Sequence, residues 1–588
     1  MKITRYSDKI VDFTKVICNP VNKNAYFFAV VLCFLLLPSL YPIGIPSKRT
    51  ILFDVAFSYT AVFVINLTNA AVSRFLKCIL LFGVASLSIL NLFLIVHFGG
   101  PLNSYMLLLL SETNSSESAE FIAEYLMSIK TLKVLGLFSG CMCVALLVAL
   151  CTKHVARIIP KLSSICGSIL IIVSLLRSAF LLHYFDSAYL DNYKYSFLTS
   201  CPIFTLINSL WQYDSLQNEA LQLVDTINNY EDSEVIITGV EENDLKIILV
   251  VGESFNKYHS SLYGYSMETN PLLKQQKLAV FTNVISCSNS TSQVLKNLLS
   301  LSSFDSGAAW FERPLFPQIF RNAGFKVTFW SNQFYTKTNG NAWDNEGSFI
   351  NDDRVSASCF DLRNVKGSRY DLEFVNDFFS SYGFEEGKNE LLMIQLMGSH
   401  IDRRERFPDD FCKFSINNYQ NNHQWTDRQI QQIADNDNSI LYNDYVLNEI
   451  IDKIKEESAV LIYLSDHGDE THEFRDCVGR AFDFDSAEWG DKVLHNQVDI
   501  PFVIYVTESY EKTHSQKVKC INDSVDNAFV TDDLPHVLLD LASIQSLYFD
   551  PTRSLINSEF VVRKRFVENP QDFNLYDYDE ICSGKDVF

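Results

Sequence analysis

Basic residues are in short supply in this sequence of 588 residues. Its 48 Lys and Arg face 70 Asp and Glu, which gives a formal net charge of −22 at pH 7. A protein that binds nucleic acid needs a basic face to neutralise the phosphates, so this balance argues against a nucleic-acid partner. The acidic excess is typical instead of an exposed, soluble domain.

Cysteine pairs with the CxxC spacing are also missing, although the chain contains 14 cysteines. A zinc ribbon or a dithiol redox motif is therefore not expected. Seven cysteines lie in the apolar N-terminal third, where cysteine behaves as a small hydrophobe. The other seven lie beyond residue 200, and their spacing leaves the question of disulfides open.

No small-residue cleavage site follows the first apolar run, and that run is too long for a signal-peptide core. Five apolar runs precede residue 186, and each is close to the roughly 20 residues that a helix needs to cross a bilayer. The runs are Ala25–Ile43, Ile51–Ala70, Leu76–Phe98, Leu132–Cys151 and Ser164–Phe185. We therefore predict a five-helix transmembrane domain over residues 1–185 rather than a soluble helical bundle.

The charges between these runs predict the orientation of the membrane domain. Basic residues before the first run, between the second and third, and between the fourth and fifth favour the cytoplasm. Residues 99–128 carry four Glu and neither Lys nor Arg, which favours the outside, whereas Lys48 and Arg49 oppose this orientation. Five crossings from a cytoplasmic start place the rest of the chain outside the cytoplasmic membrane. Residues 186–243 form a connector, whose segment CPIFTLINSLWQY fits either an interfacial helix or a plain linker.

The pattern changes over residues 244–563, where short β-rich runs alternate with helical stretches. The predicted strands are 246–252, 279–285, 325–330, 391–396, 459–464 and 500–506. The clearest helical stretches are 292–301, 315–323 and 440–455. Continuous apolar strands separated by helices indicate an α/β domain with a mostly parallel sheet covered on both faces. We assign residues 564–588 to a C-terminal tail.

The ends of these predicted strands carry residues suited to metal chemistry. Functional sites in such sheets lie at the carboxyl ends of the strands. Glu253 follows the first strand, and Asp466 and His467 follow the fifth, which gives two oxygens and one nitrogen suited to Zn²⁺, with Mn²⁺ as an alternative. Thr291 begins a predicted helix after the second strand, where the helix N-terminus favours an anion. A metal there would lower the hydroxyl pKa further and make an alkoxide nucleophile.

Two further histidines are expected at the same edge of the sheet. His400 follows the fourth strand and His495 precedes the sixth, where they are placed to bind a phosphate or to protonate a leaving oxygen. Each residue of the set has a structural alternative when taken alone. A Glu after a strand often caps a helix, Asp-His-Gly suits a tight turn, and Ser290 or Thr291 suits an N-cap. Their occurrence together at strand ends indicates an enzyme.

The motifs around these residues resemble those of the membrane phosphoethanolamine transferases of the alkaline phosphatase and sulfatase superfamily, which modify lipid A or the lipopolysaccharide core. The resemblance covers the five-span plan and nearly all of the soluble domain. It implies that Glu253 in VVGESFNKYHSSLYGYSMETNPLL and Asp466 and His467 in LIYLSDHGDE are metal ligands. It also implies that Thr291 in NVISCSNSTSQVLKNLLS is a metal ligand and the nucleophile that takes the phosphoethanolamine.

The same resemblance implies a set of substrate-binding residues. His400 lies in MGSH, and His495 lies in KVLHNQVDIPFVIY. Thr113 and Glu117 lie in the membrane-domain loop LLSETNSSESAEF. Asn332 and Lys337 lie in FWSNQFYTK, where the spacing is shifted.

Two positions depart from the family pattern. Several members have a cysteine six residues after the nucleophile that bridges to an earlier cysteine; here Cys287 is present, but Asn297 stands at the second position. Leu109 stands where the membrane-domain loop is expected to have Asn. These departures favour the branch that modifies the lipopolysaccharide core over the branch that modifies lipid A.

The resemblance predicts a multi-pass protein of the bacterial inner membrane with a periplasmic catalytic domain. It implies phosphatidylethanolamine as the donor, a lipopolysaccharide acceptor in the core or in lipid A, and Zn²⁺ as the cofactor, with Mn²⁺ or Mg²⁺ as alternatives. Three other hypotheses stay open. They are a phosphoglycerol transferase of the lipoteichoic acid synthase type, another hydrolase of the sulfatase superfamily, and a sensor without catalysis or metal. A sulfatase would need a C/S-x-P-x-R motif, and none surrounds Thr291.

Overall fold

The structure is a computed structural model of the chain. It describes residues 20–38, 48–98, 102, 106–107, 125–155, 202–230, 236–237, 244–333, 349–350, 353–364, 366–419, 425–570 and 573–583. These residues fall into two compact units. One unit ends at Tyr213, and the other contains the described residues from Asp214 onward.

Four long helices make up most of the described N-terminal unit. They are α1 Pro20–Leu36, α2 Lys48–Asn66, α3 Ala70–Phe98 and α4 Ile129–Val155. They overlap the first four predicted membrane runs, and the fifth run lies outside the described residues. Within the described part of the chain, one helix, Ala70–His97, is long and apolar enough to cross a membrane. The number of spans therefore stays a prediction.

A fifth helix, α5, runs from Pro202 to Asn229 within the predicted connector. Its last turns carry Leu223, Val224 and Ile227, which are all buried in the larger hydrophobic core of the C-terminal unit. The hydroxyl of Thr226 also donates to the carbonyl oxygen of Phe311 at 2.7 Å. The C-terminal half of the connector helix thus belongs to the folded domain that was predicted to begin at residue 244.

The C-terminal unit is built on a central sheet of seven strands among the described residues. They are β1 Leu245–Gly252, β2 Leu278–Phe281, β3 Lys326–Ser331, β4 Leu362–Arg363, β5 Glu390–Gln395, β6 Ser458–Ser465 and β7 Phe502–Val506. Their order across the sheet is β2-β7-β6-β1-β5-β3-β4. The pairs from β6 to β4 are all parallel, so the predicted mostly parallel sheet is confirmed.

Strand β7 reverses the direction of the sheet. It pairs antiparallel with both β6 and β2. Phe502, its first residue, lies opposite Leu464 near the end of β6 and opposite Phe281 at the end of β2. The residues before β7 therefore lie at the same edge as the residues after β1, β2 and β6. The predicted strand 279–285 is divided, because Val284–Ile285 leaves the sheet and pairs with Phe529–Val530.

Helices cover both faces of this sheet, because the residues of β1 are buried on both of its faces. Ile247, Leu249 and Val251 belong to one core, whereas Ile248 and Val250 belong to the other, because successive strand residues point to opposite faces. The helices of this unit are α6 Thr291–Leu299, α7 Phe316–Asn322, α8 Asp353–Cys359, α9 Asp371–Ser381, α10 Asp427–Ile454, α11 Gly490–Val498, α12 Glu508–Thr513, α13 Ser515–Asp523, α14 Leu534–Leu541 and α15 Tyr578–Cys582.

The segment predicted as a C-terminal tail is folded in its described part. Strands Phe566–Glu568 and Leu575–Asp577 form an antiparallel hairpin, which leads directly into α15. The Asp577 side chain caps this helix by accepting from the backbone N–H of Glu580. The folded domain thus extends to residue 583, beyond the predicted boundary at 563.

Candidate active site

Glu253, Asp466 and His467 meet at the edge where β1 and β6 end. One ligand atom from each residue lies within 4.8 Å of the other two, and all three residues are buried. Nε2 of His467 is 3.4 Å from Oε1 of Glu253 and 3.4 Å from Oδ2 of Asp466. The parallel pairing of Gly252 with Ser465 explains the meeting, because it places the residues after the two strands side by side.

The backbone beyond these strands turns sharply to bring the side chains together. Ser254 has a φ of 56°, in the left-handed region, and its N–H donates to Oδ1 of Asp466 at 3.0 Å. Gly468 follows the histidine at a point where a Cβ would lie 2.5 Å from the carbonyl oxygen of Asn496. Only glycine fits there without a shift of α11. The turn allows the adjacent Asp466 and His467 to converge, as expected from the sequence.

Thr291 is the first residue of α6, and its side chain reaches the cluster. Its Oγ1 lies 3.1 Å from Oε2 of Glu253 and 3.3 Å from Nε2 of His467. Ser290 occupies the N-cap position with extended backbone, and its side chain makes no capping bond. The structure therefore separates the two roles that the sequence left open: Ser290 precedes the helix, while the hydroxyl of Thr291 faces the acidic cluster and the positive end of α6.

Burial and mutual charge shift the protonation of the cluster. Burial and the neighbouring Glu253 raise the pKa of Asp466 to about 7. Burial alone would raise the pKa of Glu253 too, but the hydrogen bond and charge of His467 hold it well below its usual range. Burial would lower the pKa of His467, and Asp466 raises it instead. The pocket thus holds more negative than positive charge in a site shielded from water.

A divalent cation fits this donor set. Oδ2 of Asp466 is buried and has no hydrogen-bond partner among the described residues, and a buried carboxylate oxygen without a hydrogen bond costs free energy. Two carboxylates and one imidazole, with a fourth position beside Thr291, match the ligands and the open position of zinc sites that act on substrates. An oxygen-rich set also admits Mn²⁺ or Mg²⁺.

The two predicted substrate histidines both lie at this edge of the sheet. Burial lowers the pKa of His400 to about 3, and Glu253 and His467 are among the charges that act on it, which places the imidazole within electrostatic reach of the cluster. His495 lies near the end of α11 and is buried. The next residue, Asn496, accepts a hydrogen bond at 2.9 Å from Asn256, three positions after Glu253.

Gln333 contacts Glu253 in the cluster, although the motif in the sequence predicted this role for the adjacent Asn332. Its Nε2 lies 3.3 Å from Oε2 of Glu253 and 2.6 Å from the carbonyl oxygen of Leu396. The amide of Asn332 instead donates to Asp371 at 2.8 Å and accepts from the N–H of Ser368. Its place in the sequence could have predicted this contact, because Gln333 follows β3 at the same edge of the sheet as the other site residues.

The other predicted substrate residues fall outside the described part of the chain. These are Thr113 and Glu117 of the membrane-domain loop and Lys337 after β3. Their roles stay predictions.

Two arginines that sequence analysis did not single out add positive charge near the cluster. Both arginines pair with Asp469. Its Oδ1 lies 3.9 Å from Nδ1 of His467 and 3.7 Å from Nε of Arg480. Its Oδ2 lies 3.3 Å from the guanidinium of Arg403. The charge of Arg480 also contributes to lowering the pKa of Glu253. The site therefore joins an acidic pocket suited to a metal with two neighbouring guanidinium groups, which both pair with Asp469.

Known proteins resemble both the sequence and this domain. Residues 246–544 match the sulfatase family. Phosphoethanolamine transferase EptC of Escherichia coli (strain K12) is 26% identical over 513 residues, covering 84% of each chain. Phosphoethanolamine transferase CptA of Salmonella typhimurium is 25% identical over 520 residues, covering 86% of each chain.

Two solved structures extend the comparison. The C-terminal periplasmic domain of E. coli EptC, crystallised in complex with Zn, superposes with a TM-score of 0.51 at 26% identity, over 61% of this chain and 98% of that chain. The integral membrane lipooligosaccharide phosphoethanolamine transferase A of Neisseria meningitidis shares the fold, with a TM-score of 0.55 at 18% identity over 93% of this chain and 97% of that chain. The resemblance predicted from the motifs is confirmed: the chain belongs to the sulfatase family, and the relatives described here are phosphoethanolamine transferases.

Proposed function

We propose that this chain is a membrane phosphoethanolamine transferase. It moves phosphoethanolamine from phosphatidylethanolamine to a lipopolysaccharide acceptor, in the core or in lipid A, through a covalent intermediate on Thr291. The observation that carries the proposal is the position of the Thr291 hydroxyl, 3.1 Å from Glu253 and 3.3 Å from His467 at the start of a helix. The names of the relatives support the transferred group.

Glu253, Asp466, His467 and Thr291 would hold the metal. A bound Zn²⁺ neutralises charge on phosphoryl oxygens and lowers the pKa of a coordinated hydroxyl. The Zn complex of the E. coli EptC domain supports zinc over other ions.

The protein's own residues account for both halves of the exchange. The Thr291 hydroxyl donates to Oε2 of Glu253, which orients Oγ1, and the hydroxyl releases its proton as Oγ1 forms a bond to phosphorus. The bond from phosphorus to the diacylglycerol oxygen breaks, and that oxygen takes up the proton that Oγ1 released. In the second half, an acceptor oxygen attacks the same phosphorus, loses its proton, and Oγ1 regains one. His400 and His495 bind the phosphoryl oxygens.

The membrane domain supplies the location of this reaction. The proposal keeps five spans, a cytoplasmic N-terminus and a catalytic domain on the periplasmic side of the inner membrane. That arrangement brings the lipid donor and the glycolipid acceptor within reach of one site. The helix Ala70–His97, with the length and apolar composition of a span, supports the membrane assignment.

Removal of the Thr291 hydroxyl tests the intermediate. The full chain is purified in detergent and incubated with phosphatidylethanolamine that carries a labelled headgroup. The wild type and Thr291→Ser are expected to carry label on residue 291 by peptide mass spectrometry. Thr291→Ala is expected to carry none, and its transfer rate should fall by more than roughly 1,000-fold. Thr513→Ala, at an exposed threonine of α12, is the matched control; normal labelling of Thr291→Ala would refute the nucleophile.

The donor experiment separates this function from the phosphoglycerol transferase alternative. Equal amounts of phosphatidylethanolamine and phosphatidylglycerol, each labelled in the headgroup, are offered to the wild-type protein. Label from ethanolamine on the protein supports the proposal, whereas label from glycerol alone replaces it with the alternative. Mass spectrometry of envelope glycolipids with and without the protein then identifies the acceptor, through a gain of one phosphoethanolamine on a sugar or a phosphate.

A further inference from the structure

His495 is held on one side by two groups from different parts of the chain. Its Nδ1 lies 3.2 Å from Oδ2 of Asp499, one turn further along the chain, and 3.0 Å from the hydroxyl of Tyr578 in α15. All three side chains are buried. Among the described residues, these bonds hold the imidazole through one of its two nitrogens.

The hydrogen bonds around Asp499 determine which atom carries the hydrogen. The Tyr578 hydroxyl donates to Oδ1 of Asp499 at 2.6 Å, so its oxygen is left to accept. Burial opposes ionisation of Asp499, but the nearby Lys257, with Nζ at 3.3 Å, holds its pKa at about 2, so it is a carboxylate at neutral pH. Both groups that face Nδ1 are thus acceptors, and Nδ1 must carry a hydrogen.

The other ring nitrogen has a different environment. Nε2 of His495 is buried and has no hydrogen-bond partner among the described residues. A neutral imidazole with its hydrogen on Nδ1 presents a lone pair at Nε2, and a protonated one presents an N–H there. In either state Nε2 is the atom left to meet a ligand.

We propose that Tyr578 is a positioning residue for His495: together with Asp499 it sets the tautomer and the orientation of the imidazole, and it leaves Nε2 to contact the substrate. This inference rests on the proposed function. Tyr578 lies beyond residue 544, where the match to the sulfatase family ends, in a segment that the sequence indicated only as a tail. The C-terminal hairpin therefore contributes to the site as well as to folding.

The surrounding contacts hold Tyr578 firmly enough for this role. Arg565, before the hairpin, is bonded to Asp579 at 2.5 and 3.2 Å, and its guanidinium lies over the Tyr578 ring at 4.7 Å. The hydroxyl of Tyr258 also donates to Oδ2 of Asp499. The segments that carry Tyr258, His495 and Tyr578 thus all bond to the Asp499 carboxylate. In the bonds described, the hydroxyl of Tyr578 also contacts His495, whereas that of Tyr258 does not.

The test compares tyrosines that differ in what their hydroxyl contacts. Tyr578→Phe in the full chain is expected to lower kcat roughly 10- to 100-fold, because a loosely oriented group loses rate, with KM for the lipid donor little changed. Tyr258→Phe removes a bond to Oδ2 of Asp499, the oxygen that also faces Nδ1 of His495, so a smaller loss is expected there. Tyr382→Phe removes a hydroxyl bonded to Glu390 at the start of β5. This matched control should stay within about threefold of wild type if orientation of His495 is what matters.

A double variant separates orientation from general damage. In a His495→Gln background, Tyr578→Phe should cause no further loss, because both changes remove the same function. Independent, additive losses, or a Tyr578→Phe protein no slower than Tyr382→Phe, would overturn the inference. Thermal unfolding of each variant checks that it is folded.

A spectroscopic readout decides the inference without enzyme turnover. In protein labelled with ¹⁵N-histidine, the signals lost in His495→Gln identify His495. They should report a hydrogen on Nδ1 in the wild type, and a shifted Nδ1 signal in Tyr578→Phe, in which Asp499 alone accepts that hydrogen. An unchanged Nδ1 signal in Tyr578→Phe refutes the positioning role even if the wild type shows no transferase activity. An inactive wild type with the expected signal change refutes the proposed function alone.

Discussion

The Oγ1 atom of Thr291 lies 3.1 Å from Oε2 of Glu253, although 38 positions separate the two residues in the chain. The contact joins the end of β1 to the start of α6. It exists because β2, which leads towards α6, ends at the same edge of the sheet as β1 through the reversed strand β7.

Loss of a metal ligand should abolish metal binding. Glu253→Gln replaces a carboxylate oxygen with an amide in a buried site that already holds one histidine and one aspartate. Mutation of a residue that only hydrogen-bonds to a metal ligand typically lowers metal affinity roughly 10- to 100-fold. Loss of a ligand itself should lower the affinity more. Metal analysis of the purified full chain checks this, with Glu559→Gln at an exposed position as the control. A Glu253→Gln protein with full metal content would contradict the ligand assignment.

Removal of the metal should also destabilise the folded chain. An ion that binds only the native state raises stability in proportion to the logarithm of its free concentration over its Kd. Chelation is therefore expected to lower the Tm of the wild type, and added Zn²⁺ should restore it. The Tm of Glu253→Gln should respond little to either treatment. Equal responses of the two proteins would place the stabilising ion elsewhere.

Gln333 should tune the metal site without being a ligand. Its Nε2 donates to Glu253 and to the carbonyl oxygen of Leu396, so Gln333→Met removes a bond that orients the carboxylate. We expect roughly 10- to 100-fold weaker metal binding and a slower transfer. Gln318→Met, at another buried glutamine that bonds the carbonyl oxygen of Ile227, should leave metal affinity unchanged. Titration of the metal-free proteins with Zn²⁺ measures the difference.

His259 should make the stability of the domain depend on pH. Burial would lower its pKa, but Asp437 at 2.6 Å and Glu473 at 2.9 Å raise it to about 10. In the unfolded chain the pKa is about 6.5. The folded state thus binds the proton more tightly, and this stabilisation is complete below about pH 6.5 and lost as the pH rises through about 10.

The measurement for His259 is the Tm difference between the wild type and His259→Gln. This difference should be largest at low pH, up to about 6.5, and should shrink steadily towards pH 10. A difference that stays constant or grows with pH would show that the two carboxylates do not hold a protonated imidazole.

The connector helix should contribute to the stability of the C-terminal unit. Leu223 on α5 is fully buried, whereas Leu221 on the same helix is 54% exposed. Leu223→Ala is expected to lower the free energy of unfolding by about 2–5 kcal/mol because it leaves a cavity. Leu221→Ala should change it by no more than about 0.5 kcal/mol. Thermal unfolding of the two variants tests this, and equal losses would contradict the packing of α5.

The mostly parallel sheet and the meeting of the two carboxylates with the histidine could be predicted because both depend on local patterns. Strands buried on both faces appear as continuous apolar runs, and a parallel sheet gathers the residues after its strands. Glu253, Asp466 and His467 follow such runs directly. Thr291 was placed correctly for a related reason, since a hydroxyl at the first turn of a helix is a local signal.

The contributions of Gln333, Tyr578 and α5 could not be predicted in the same way. Each depends on a contact between segments far apart in the chain, and neither an amide after a strand nor a lone tyrosine near the end of a chain is unusual. The burial of Leu223 could not be predicted from the sequence either. The second half of α5 carries too few apolar residues to distinguish a packed helix from a linker. The packing partner, and not the helix itself, determines which residues are buried.

The reversed strand and the C-terminal hairpin also affect when the enzyme becomes competent during its synthesis. The residues that meet at the edge of the sheet extend from Glu253 to Tyr578. A nascent polypeptide that has emerged only as far as His467 already contains the three side chains suited to a metal but lacks His495, its carboxylate partner and α15. A growing chain therefore completes this edge of the sheet only after α15 has been synthesised.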